Sequence, residues 1–149
     1  MGVKMATFDT STTEKTSSSR DFTGARDSNL KAWNAIADWW DIKQNESGDD
    51  GNDMFTQCLL PEIVSLAEWS PGQSILDLGA GSGIICRLFA REAVKRGVSD
   101  YAITGLDFSE PMLDKARQRN EKDGLNVEYG YIDLMDPENM AEYARQHPE

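Results

Sequence analysis

The sequence predicts an α/β fold: three parallel strands with helices on their flanks. Three observations predict it. Residues 74–83 (SILDLGAGSG) run from apolar positions through an acid into three alternating glycines, and a helical pattern follows. Strand-like and helix-like stretches then alternate along the chain, and strands joined through helices lie parallel with right-handed crossovers. Each of the three strands also ends on a carboxylate: Asp77, Asp107 and Asp133. In an open parallel sheet the C-terminal strand ends share one crevice where ligands bind, so the three acids converge by topology.

Composition bounds the rest. A chain of 149 residues is one domain or less, and 39% hydrophobic with 28% charged residues is the balance of a soluble protein. The net charge of −11 argues against a nucleic-acid partner, because such chains neutralise phosphates with cations. There is no apolar run long enough to span a bilayer, so no membrane partner is expected. Cys58 and Cys86 are the only cysteines and lack metal-ligand spacing, so no metal is expected. With no disulfide scaffold and no apolar leader in residues 1–20, the expected location is cytoplasmic.

Taken in order, residues 1–27 are rich in Ser and Thr and poor in apolar side chains, which predicts a disordered tail. The domain then spans 28–149. Leu30, Trp33, Ile36, Ala37 and Trp40 recur at helical spacing, with Asp27 or Ser28 placed to cap. The simplest reading of Trp33 is core packing. Trp39 and Trp40 lie on neighbouring faces, so one of them is free to face a ligand. Residues 43–53 read as an acidic loop, which makes 28–53 a candidate lid. Residues 54–69 read as a helix interrupted by Pro61, and Pro71-Gly72 as a turn into the first strand.

After the glycines, residues 82–96 read as a helix closed by Gly97, with Cys86 a small core residue. Residues 101–107 form the second strand. Ser109 is placed to cap the next helix, Pro111 lies in its first turn, Met112, Leu113 and Ala116 face inward, and Gly124 closes it. Residues 126–132 form the third strand, and Asp136-Pro137 opens a last helix.

The glycine turn admits more than one ligand by its residues alone. Glycines let the backbone approach a bound group, and the following helix aims free N–H groups at the same place. A dinucleotide fingerprint is Gly-x-Gly-x-x-Gly, but in Gly79-Ala80-Gly81-Ser82-Gly83 the third glycine comes one place early. Asp77, two residues ahead, would repel a pyrophosphate and suits an ammonium or sulfonium. A nicotinamide-dependent dehydrogenase therefore ranks as the weaker reading.

The run D-L-G-A-G-S-G resembles motif I of the class I S-adenosylmethionine (SAM) methyltransferases, and the likeness extends over roughly residues 30–136. The resemblance implies a Rossmann-like three-layer sandwich with its parallel strands in the order 3-2-1. It places Asp77, Gly79, Ala80 and Gly81 around the methionine part of SAM, or of the product S-adenosylhomocysteine (SAH). It assigns Asp107 to the ribose hydroxyls, Phe108 and Met112 to the faces of the adenine, and Asp133 with the Leu134 amide to its edge. Trp40 is the candidate aromatic that closes over the cofactor. The implied activity is methyl transfer to a small-molecule acceptor. A SAM- or SAH-binding partner subunit without activity is the alternative.

In that family a fourth strand lies beside the first and contributes substrate and catalytic positions. The sequence is therefore expected to hold only the N-terminal cofactor-binding half, truncated before that strand. The exposed edge of the first strand is expected to be covered by a second copy or a partner chain. No catalytic residue is assigned, and His147, in a polar stretch, is expected to be exposed.

Overall fold

The computed structural model describes residues 23–45, 62–63, 66, 70 and 72–148. In chain order the elements are α1 (Thr23–Asn45), β1 (Ser74–Leu78), α2 (Ile84–Lys95), β2 (Ala102–Asp107), α3 (Glu110–Asp123), β3 (Glu128–Tyr131) and α4 (Pro137–Gln146). The strands form one parallel sheet in the order β1-β2-β3, the expected 3-2-1 arrangement.

Register decides which side chains share a face. Ile75 pairs with Ile103, Asp77 with Gly105, and Gly105 in turn with Tyr129. Paired residues of parallel strands point the same way. Cys86, Phe89, Ala90 and Ala93 of α2 pack with Ile103 and Val127, against Ile75 and Tyr129. Gly105 makes this approach possible, because a Cβ there would lie 2.8 Å from Tyr129 Cε1 and 2.9 Å from Cys86 Sγ. The opposite face is barer at β1, where Leu76 is 56% and Leu78 51% exposed.

Several boundaries differ from expectation. Helix α1 begins at Thr23, so residues 23–27, assigned by composition to the tail, are helical. The cause is tertiary. Arg26 ion-pairs with Asp133 and lies 3.7 Å from Asp136, contacts that no local pattern reveals. Residues 43–45, expected to be loop, continue the same helix. Within it Ala37 and Asp41 are buried, whereas Ile36 is exposed rather than core. Strand β3 starts at Glu128, later than expected. The tail expected before Thr23, most of the helix expected over 54–69, the rest of the expected acidic loop and Cys58 lie outside the described residues.

Asp27 and Ser28, expected to cap α1, lie inside it, whereas the ends of α3 and α4 follow the expected chemistry with one exception. Gly124 closes α3 in a left-handed conformation, and Asp136 caps α4 by accepting from the Glu138 and Asn139 amides. Ser109 stands at the N-cap of α3, but its hydroxyl does not cap. It donates instead to Asn34 Oδ1 of α1 at 2.6 Å. No helix among the described residues is long and apolar enough to cross a membrane. His147 is exposed and stacks on Tyr143.

Candidate functional site

A cavity of about 420 Å³ opens at the carboxyl ends of the strands, within the range typical of small-molecule sites. Its walls carry all ten residues singled out from the sequence: Trp40 on the helix side; Asp77, Gly79, Ala80 and Gly81 at β1; Asp107, Phe108 and Met112 at β2 and α3; Asp133 and Leu134 beyond β3. The three carboxylates therefore face one space, as the parallel topology requires.

Each carboxylate is held differently. Asp77 projects from the face that α2 covers, and the Cys86 thiol donates to its Oδ2 at 3.3 Å. Burial raises the Asp77 pKa, the Cys86 hydrogen bond opposes the rise, and the charge of Asp107 adds to it. The thiol is itself pushed up by burial, then by Asp77, and Cys86 is a free, buried cysteine. Asp107 is buried. Its Oδ2 accepts from the Gly81 amide and its Oδ1 from the Ser109 amide, both at 2.8 Å. A carboxylate offers about four acceptor positions, and these two donors from the described residues occupy about half of them. Asp133, only 1% exposed, accepts from the Met135 amide at 2.9 Å and takes Arg26 on its other oxygen.

The glycine turn forms the floor. Gly79 and Gly81 have positive φ, and a Cβ at either would meet nothing within 4 Å, which leaves the backbone open to a ligand. Gly83 is different. Its φ is +75° and the space where a Cβ would go is filled by the Tyr129 ring, with Cζ at 2.7 Å. Burial raises the pKa of the Tyr129 hydroxyl, which donates to the Gly83 carbonyl at 3.3 Å.

Sequence reasoning missed part of the lining. Trp33, expected in the core, lines the cavity and meets Trp40 edge to face at 5.7 Å, while Trp39 is 53% exposed. The signal was present. Asn29, Trp33 and Trp40 lie four and then seven residues apart, which puts them on one helical stripe. Ile84 and Ile85, directly after the last glycine, and Met135 also line it.

An open parallel sheet, a glycine turn after its first strand and acids at the following strand ends define a Rossmann-like ligand-binding domain. The comparisons narrow this. Residues 75–146 match the family model described as a methyltransferase domain, so this segment is similar to that family. Among curated relatives, the arsenite methyltransferase of Halobacterium salinarum is 35% identical over 91 residues, covering 60% of this chain and 22% of that protein. The ribosomal protein L11 methyltransferase of Burkholderia thailandensis is 40% identical over 63 residues, covering 42% and 19%. Among solved structures, a SAM-dependent methyltransferase from Geobacter sulfurreducens in complex with SAH aligns at 29% identity, over 50% of this chain and 28% of that one, with a TM-score of 0.41. The chain thus spans about a fifth of the length of these curated relatives.

Proposed function

We propose that the cavity binds SAM and that the protein is a SAM-dependent methyltransferase acting on a small molecule in the cytoplasm. The observation that carries this reading is the convergence of three carboxylates and an open glycine turn on one largely apolar cavity. That donor set fits SAM. Asp77, raised by burial and by Asp107, gains most from a cationic ligand, and the ammonium and sulfonium of SAM supply one. Asp107 offers acceptor oxygens to a vicinal diol. Asp133 suits an exocyclic amino group, and Leu134, Met112 and Phe108 offer apolar contact to a flat ring.

SAM, when bound, supplies a methyl group on a sulfonium. The chain's own residues then act by holding and orienting. The turn at Gly79–Gly81 brings backbone close to the amino-acid end, and Trp33 and Trp40 screen the cavity from water. Displacement at a methyl carbon depends mainly on such positioning. A small-molecule acceptor is supported by the net charge of −11, which disfavours nucleic acid, and by the arsenite-directed relative. The L11 relative names a protein acceptor, which a screen of acceptors has to include.

One observation favours the second reading, a SAM- or SAH-binding partner subunit without activity of its own. Leu76 and Leu78 stand half exposed on the edge strand, and a second copy or partner chain covering them would remove an apolar edge. Equilibrium dialysis with labelled SAM, with NAD as competitor, tests the common core of both readings. Retention of SAM that NAD does not displace is expected. Retention of NAD in its place would return the site to the dehydrogenases.

A further inference from the structure

The glycine turn that floors the cavity is held from its far side by a buried cation. The side chain of Arg87, in the first turn of α2, is 1% exposed. Its Nη1 donates to the Ser82 carbonyl at 2.7 Å, and its Nε lies 3.8 Å from Oδ2 of Asp123, the last residue of α3. Arg91 Nη2 donates to the same oxygen at 2.6 Å, so α2, α3 and the turn share one charge network. The next carbonyl along, that of Gly83, accepts from the Tyr129 hydroxyl and from the Arg87 amide at 3.1 Å. On the cavity side the Gly81 amide is fixed by Asp107. The turn is pinned from both sides.

A guanidinium is an expensive way to fill space. Burying it costs several kcal/mol that only good pairing offsets, whereas an apolar side chain of similar length carries no such cost. A turn with three glycines at positive φ also has wide freedom unless something restrains it. We propose that Arg87, braced by Asp123, is a positioning residue for the ligand site, setting the glycine turn in its binding form. Ligand affinity then depends on a side chain that is not part of the cavity lining. This inference rests on the cavity being the SAM site.

The test compares the wild-type 149-residue chain with Arg87→Met, Arg87→Lys and a core control, Ile103→Val. Amide hydrogen exchange is read at Gly81 and Gly83, and SAH affinity by calorimetry. Arg87→Met is expected to speed exchange at both glycines at least tenfold and weaken SAH at least tenfold. The control, compared after correction for any loss of melting temperature, is expected to move neither. Arg87→Lys keeps the charge but not the fork, so partial recovery is expected. If Arg87→Met tracks the control on both readouts, Arg87 is structural only and the proposal falls. Should Arg87→Met not fold, Asp123→Asn replaces it, with smaller changes of the same sign expected and wild-type behaviour overturning the proposal. A folded wild type that binds no SAH overturns the SAM reading as well, and the wild type alone distinguishes that failure from this one.

Discussion

On the sheet side of the cavity, Asp77 and Asp107 sit at strand ends whose register is fixed by backbone hydrogen bonds. On the helix side, polar and charged side chains tie α1 to α3, to its N-cap and to Asp133. Arg119 holds Asp41 through Nε and Nη2 at 2.7 and 2.9 Å, Lys115 holds Asp38 at 2.7 Å, Ser109 holds Asn34, and Arg26 holds Asp133. The difference is physical. Backbone pairing and core packing survive changes of salt and pH, whereas partly exposed ion pairs contribute little and are screened. The fixed wall carries Asp77, Asp107 and the glycine turn, and the adjustable wall contributes Trp33 and Trp40 to the same cavity.

The sharpest way to break the fixed wall is Gly83→Ala. Holding a non-glycine residue at φ +75° costs about 1–2 kcal/mol, and displacing the Tyr129 ring about 1–3 kcal/mol more. A loss of roughly 2–5 kcal/mol in urea unfolding is expected. Near-wild-type stability would show that the turn is softer than its geometry implies.

Asp77→Asn separates stability from binding. Burial raises the folded pKa of Asp77, so its ionisation opposes folding: the stability it contributes is full below its ordinary value of 3.8 and is lost as pH rises through the folded value. The variant should therefore melt higher than wild type at pH 7. It should also bind SAM less tightly, by about 1.5–3 kcal/mol, the worth of a charged hydrogen bond. A melting temperature and an affinity that move in the same direction would contradict this.

The adjustable wall should respond more weakly. Arg119→Met is expected to cost about 1 kcal/mol, seen as a change in the fluorescence of the α1 tryptophans. Burial raises the Asp41 pKa, but the hydrogen bonds and charge of Arg119, with Lys115, outweigh it and leave the pKa lowered. That contribution is present above 3.8, the ordinary value, and is lost as pH falls through the lowered one. The same fluorescence change should therefore appear in wild type only in strong acid. Smallest of all, Arg26→Ala frees Asp133 from its cation, and SAH affinity should rise a few-fold. A fall would assign Arg26 to the ligand rather than against it.

Much of the fixed wall was legible because its determinants are local. An acid before a glycine turn, and acids at successive strand ends, need only the parallel topology to meet. The adjustable wall was less legible because its determinants are distant. Arg26 and Asp133 are 107 positions apart, and their pairing is what extends α1 into a stretch whose composition reads as tail. Periodicity placed Trp33 and Trp40 on a helix but could not say that their stripe meets a cavity rather than a core. Gly105 and Tyr129 escaped notice for a similar reason. The need for a missing Cβ in mid-strand appears only once the Tyr129 ring and Cys86 are placed over it.

The convergence of the strand-end carboxylates on one adenosyl ligand is tested most directly by calorimetric titration of wild type and Asp107→Ala with SAH. One site per chain is expected for wild type, weakened by about 1–3 kcal/mol when the diol loses its charged acceptor. Equal affinity in a folded Asp107→Ala chain would contradict the assignment of the second strand's carboxylate to the ligand.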